Sequence, residues 1–64
     1  MKAFRSALNR ISEYFPQYSI LRGHVTTHSV SLLIENDGHY IEFECECYGD
    51  SVVYKYGSVA DAKG

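Results

Sequence analysis

Residues 24–58 read HVTTHSVSLLIENDGHYIEFECECYGDSVVYKYGS, and the way this stretch divides decides the fold. From His24 to Tyr56 the apolar residues recur with a period of two, and β-branched and aromatic side chains dominate, which is the pattern of half-buried strands. Asp37-Gly38, inside Asn36-Asp37-Gly38-His39, is a strong two-residue hairpin signal, because these residues tolerate the positive φ that such turns require. Gly49-Asp50 is a weaker second one. Three strands are therefore predicted, over about 24–36, 39–48 and 51–58.

Register tests this division, since a hairpin loop dictates which residues face each other and a slip of one would turn the apolar set outward. With Asp37-Gly38 as the loop, Ile34 faces Ile41, Leu32 faces Phe43, Val30 faces Cys45 and His28 faces Cys47. With Gly49-Asp50 as the loop, Cys47 faces Val52, Cys45 faces Tyr54 and Phe43 faces Tyr56. Both turns select the same inner face. On the outer face Leu33 then lies beside Glu42, Ser31 beside Glu44 and Lys55, and Ser29 beside Glu46 and Val53. The opposite charges at Glu44 and Lys55 fit that register independently.

Upstream the period changes. Phe4, Ala7, Leu8, Ile11 and Phe15 fall on one stripe of a helix predicted over about 2–15, with Arg5, Asn9, Arg10, Ser12 and Glu13 on its other faces. Pro16 disfavours helical geometry at Phe15, so the helix stops there and 16–23 is read as a connecting loop carrying Tyr18 and Arg22. Ser58-Val59-Ala60-Asp61 has capping-box spacing, but with only three residues after it the segment 59–64 is read as a frayed turn. The expected architecture is one α+β domain over 1–64, an α-β-β-β chain whose amphipathic helix packs on one face of a three-stranded antiparallel meander.

Composition agrees with one small soluble domain. The 64 residues are 45% hydrophobic, too apolar for disorder and too few for two cores. A chain of this size buries only about 60% of the surface its unfolded form exposes, which disfavours an enclosed catalytic cleft. No P-loop, GxSxG, HExxH or GxGxxG motif occurs, and no cofactor is implied. No apolar run approaches the roughly 20 residues of a membrane span, and the opening MKAFRSALNR is charged rather than leader-like, so a cytoplasmic protein without membrane association is expected.

Charge is divided along the chain. The net charge is −2, yet residues 1–23 hold Lys2, Arg5, Arg10 and Arg22 against Glu13, while residues 24–64 hold seven acids against Lys55 and Lys63. The outer face of the central strand reads Tyr40, Glu42, Glu44, Glu46, Tyr48. Three carboxylates about 7 Å apart repel one another, and in the three-stranded reading only Lys55 compensates. A solvated strand face would show the same alternation. Bordered by Leu33, Val53 and Asp50, however, such a patch suits a basic surface on a partner protein, the charges steering encounter and the aromatics supplying contact. A general acid and base pair among these glutamates is disfavoured, because a flat face offers each the same surroundings.

Two other constellations are weaker. His28, Cys45 and Cys47, with His24 nearby, converge at one end of the inner face and could hold zinc, but C-x-C on a strand lacks the spacing of structural zinc sites, and buried Cys more often acts as a small apolar side chain. Alternate residues on a strand put the two Cβ atoms about 6 to 7 Å apart, too far for a disulfide, so both thiols are expected to stay reduced. The helical side, with Lys2, Arg5, Arg10 and Arg22, is the basis of an alternative reading as a small nucleic-acid-binding regulator. Its few cations are diluted by polar and acidic neighbours, which makes direct nucleic-acid binding the lesser expectation.

The leading expectation is thus a non-enzymatic protein-binding module, an inhibitor or adaptor of the kind that phages and mobile elements use to block host machinery, with the nucleic-acid regulator second and a metal-binding module third. A homodimer is also expected. The predicted first strand exposes an unprotected edge, and Val25, Thr27, Ser29 and Ser31 would suit a second copy laid alongside, the alternative being a monomer whose edge is covered by the 16–23 loop or by its target.

Overall fold

The computed structural model describes residues 2–59. In chain order it contains α1 (Lys2–Tyr14), β1 (Ser19–Val25), β2 (Ser29–Asn36), β3 (His39–Tyr48) and β4 (Ser51–Val59). The strands form one antiparallel sheet in the order β1-β2-β3-β4, and α1 packs on one side of it, chiefly over β3 with β2 and β4 to either side. The α+β class and both sheet registers follow the sequence reading: Leu32 pairs with Phe43, Val30 with Cys45, Glu44 with Lys55 and Phe43 with Tyr56. The strand count does not.

The predicted strand over 24–36 is two strands. Its break lies at Thr26-Thr27-His28, where the Thr26 amide donates to the Ser29 carbonyl at 2.8 Å and the Ser29 amide donates to Thr26 Oγ1 at 3.1 Å. A threonine hydroxyl replaces the backbone acceptor of the turn, so the chain reverses there without Gly, Pro, Asn or Asp. Residues 19–25, expected to lie mostly in a loop, return along β2 as β1, with a bulge between Ile20 and Arg22. Gly23 allows a close approach in that return, since a Cβ there would meet Leu32 Cδ2 at 2.5 Å and displace that side chain. The edge assigned above to a second copy is thereby occupied within the chain: Ser31 lies across from His24 and Val30 from Val25, while Thr27 is in the turn. The uncovered strand edges now belong to β1 and β4.

The second correction concerns the roll of the helix. Ala3, Ala7 and Ile11 are buried, whereas Phe4 and Leu8, placed in the core by the sequence reading, are 39% and 36% exposed. Small residues at 3 and 7 let α1 approach the sheet closely. The roll is held from the other flank by Arg10, whose guanidinium carbon lies 4.1 Å from the Tyr54 ring centre and 4.9 Å from that of Tyr14. Fully covered Phe43, Ile34, Val30 and Cys45 form the heart of the core. Phe15 closes its lower end by edge-on contacts with Phe43, Tyr56 and Tyr18, and Tyr56 stacks on Phe43. Burying the four central side chains contributes about 1.5 to 3 kcal/mol for each large one. β4 runs through Val59, one residue past the expected end, and the remainder of the segment read as a frayed turn lies outside the described residues. No helix among the described residues is long and apolar enough to cross a membrane.

Candidate functional site

Because α1 covers one side of the sheet only, the other side is open, and the side-chain alternation of β3 puts Tyr40, Glu42, Glu44, Glu46 and Tyr48 on it in one column. Glu42 and Tyr48 are exposed, and Tyr40, Glu44 and Glu46 are half-buried. The two ends of this column are tied down. At one end the Gly38 amide donates to Glu35 Oε2 at 2.9 Å, so that carboxylate belongs to the hairpin turn. At the other, a hydrogen bond from the Tyr48 hydroxyl to Glu46, with the carboxylate's charge second, holds the Tyr48 phenol above its ordinary pKa. Asp50 is exposed in the β3–β4 turn, and Val53 lies directly across from Glu46.

The cross-strand rows show what the sequence reading missed. One row runs Arg22, Leu33, Glu42, Gly57, and the next runs His24, Ser31, Glu44, Lys55. β1 therefore brings Arg22 and His24 to the outer face, where Lys55 had been the sole compensating group. The acidic column is framed by a basic residue on either side rather than repelling alone. Leu33 is only 9% exposed on this nominally open face, being flanked by Arg22 and Glu42. The run Leu32-Leu33-Ile34, buried throughout, is the signal that could have revealed β1, since a strand apolar on both faces is a central strand with neighbours on both sides.

Shallow hollows lie between these rows. One of about 270 Å³ opens beside Gly57, walled by Glu42, Glu44 and Lys55, and one of about 160 Å³ lies between Arg22, His24 and Glu42. Nothing lies within 4 Å of where a Gly57 Cβ would sit, so the first hollow is a gap in the side-chain layer. Both are open and fall below the roughly 300 to 1,000 Å³ of an enclosed ligand pocket. Ser29 and Ser31, small and polar, keep the surface low on the β2 side.

The other candidates are dispersed or engaged. Cys45 is buried and Cys47 half-buried on the inner face, both as free thiols, and burial, with Cys47 second, pushes the Cys45 thiol up. His28 is exposed in the Thr26–Ser29 turn, where its carbonyl accepts from the Cys47 amide at 2.9 Å. Among the described residues no group of three or more His, Cys, Asp or Glu is placed to hold a metal ion. On the helical side Arg10 is occupied by two tyrosine rings; burial lowers its pKa, but the Tyr54 hydrogen bond and the charges of Tyr14, Tyr54 and Glu13 leave it raised on balance. Lys2 donates to the Gly49 carbonyl at 3.4 Å. Compared with known proteins, the chain matches no family model, no curated protein and no solved structure.

Proposed function

We propose that this protein is a small non-enzymatic binding module, acting as an inhibitor or adaptor, that engages a basic surface of a partner protein with the outer face of its sheet. The observation that carries this reading is the uncovered column Tyr40, Glu42, Glu44, Glu46, Tyr48 on β3. Carboxylates at alternate strand positions recur about every 7 Å, a spacing that arginine and lysine side chains on a partner can meet individually. The hollow beside Gly57 would take one such side chain between Glu42 and Glu44. Arg22, His24 and Lys55 bound the stripe laterally, so a partner would read both the acidic column and where it ends, which favours one orientation of docking. The nucleic-acid reading of the helical side loses ground for a physical reason: Arg10 is stacked against the protein's own tyrosines rather than presented to a phosphate.

Charge reversal separates the two sides. In affinity capture from cells of the source organism followed by mass spectrometry, Glu44→Lys should remove the specific partner and Arg10→Glu should leave it. Like-charge juxtaposition in an interface costs several kcal/mol, so the loss should be at least about tenfold in a subsequent titration with the purified partner. Retention by Glu44→Lys with loss by Arg10→Glu would transfer the function to the helix.

A further inference from the structure

A second surface lies on the helix side of the sheet and owes nothing to the acidic face. Every residue of β1 is exposed, including Ile20 at 46%, Leu21 at 47% and Val25 at 44%. Ile20 and Val25 lie across from the buried Ile34 and Val30, so they belong to the same side of the sheet as α1. Phe4 and Leu8 complete the set. Helical geometry puts them on the flank of α1 opposite Arg10, and since Arg10 lies over Tyr54 of β4, that flank faces β2 and β1. A sheet four strands wide thus carries a single helix: the inner side of β2 is covered, with Val30, Leu32 and Ile34 buried, while the inner side of β1 is bare, apolar and walled by the helix flank.

We propose that this bare strip over β1 seats one amphipathic helix of a partner protein, acidic along its polar side, lying next to α1. Spacing supports a helix. β1 and β3 are two strand spacings apart, about 9.6 Å, and helices packed side by side lie about 8 to 10 Å apart, so a helix over β1 would sit at packing distance from α1 over β3. Charge selects the partner's chemistry. Arg5, one turn from Leu8, borders the bare face on its solvent side, and the chain from Pro16 to Ile34 contains no acidic residue. The one acid of α1, Glu13, sits by Arg10 on the far flank. A second copy of this chain fits poorly: the Ala3, Ala7 and Ile11 stripe of its helix is already buried on its own sheet, and pairing two copies along β1 would leave their helices about five strand spacings, roughly 24 Å, apart with this face still bare.

Two labelled 14-residue synthetic helices serve as probes, each with leucines at i, i+3, i+4 and i+7 and with either Glu or Lys on the polar side, titrated by fluorescence polarisation against the full chain. The Glu peptide should bind in the micromolar range, at least about tenfold more tightly than the Lys peptide. Arg5→Glu, a change at an exposed side chain, should abolish or reverse that preference. Leu8→Ser should weaken the Glu peptide about tenfold with an unchanged circular dichroism spectrum, and Glu44→Lys should leave it within about twofold. Equal binding of both peptides, binding of neither, or capture of the chain by phosphatidylserine vesicles in preference to the Glu peptide would overturn the proposal. So would a concentration-dependent dimer in sedimentation equilibrium that Leu8→Ser dissociates.

Discussion

The β2–β3 and β1–β2 hairpins of one sheet reverse the chain by different means. At Asp37-Gly38 both residues have positive φ, 53° and 84°, and Glu35 accepts from the Gly38 amide, so the backbone itself is bent into the turn that matches strand twist. At Thr26–Ser29 two hydroxyls do the work: Thr26 Oγ1 and Ser29 Oγ are 2.7 Å apart, and the backbone needs no unusual conformation. The strands follow suit. β2 and β3 pair without interruption around Leu32, Ile34 and Phe43, while β1 carries a bulge and contributes no buried residue. The first hairpin holds the core and carries the acidic column on the outer side of the same strand, whereas the second extends the sheet with a strand exposed along its whole length.

The largest test of that contrast is truncation in each hairpin. Phe43→Ala, at a fully covered position touched by Phe15, Tyr54 and Tyr56, should cost about 3 to 5 kcal/mol and leave so small a domain largely unfolded. Ile20→Ala, with the side chain 46% exposed, should cost less than about 1 kcal/mol in urea denaturation. Comparable losses would mean that β1 is integral to the core.

The same contrast explains what was legible in the sequence. Asp37-Gly38 and Gly49-Asp50 announce themselves through residue types that few other conformations want, and with the turns located, period-two alternation delivered the registers and the column Glu42, Glu44, Glu46. The turn at Thr26–Ser29 is made of Thr, His and Ser, residues equally at home in a strand, so the reading ran straight through it to a strand 13 residues long against a usual five or six. Missing β1 removed Arg22 and His24 from the outer face and made the acidic column look less compensated than it is. The roll of α1 was illegible for another reason: Phe4 and Leu8 share a stripe with Ala7 and Ile11, and only the Arg10 stack on Tyr54, a tertiary contact, chooses between them.

Turn substitutions give a smaller effect. Gly38→Ala puts a Cβ on a residue at φ 84°, costing about 1 to 2 kcal/mol, and should weaken the whole domain because the core hairpin is strained. Thr26→Val keeps the shape and removes the hydroxyl that accepts from the Ser29 amide, at about 1 kcal/mol. Its signature is local. Hydrogen exchange should accelerate at β1 amides while Phe43 and Cys45 stay protected; uniform acceleration would show that both hairpins open as one unit.

The smallest effect separates two thiols on one strand. Cys45 lies across from Val30 in the core and Cys47 is half-buried two residues on. Burial favours the neutral form, so the Cys45 pKa is raised in the folded state above the ordinary value of 9.0. The sign follows by linkage: a raised folded pKa contributes stability that is fully present below the unfolded pKa and is lost as pH rises through the folded one. The urea midpoint should accordingly hold steady up to about pH 8.5 and decline above it. Tyr48, also raised, adds to the decline at still higher pH, but equally in wild type and in Cys45→Ala, which removes the thiol without adding bulk to the core. The difference between the two curves isolates Cys45 and should open only on the alkaline side. Ellman's reagent should meanwhile label Cys47 before Cys45. Parallel stability curves, or simultaneous labelling, would show that the centre of the β2–β3 hairpin admits water and hydroxide as readily as its end, and the division of labour between the two hairpins would lose its foundation.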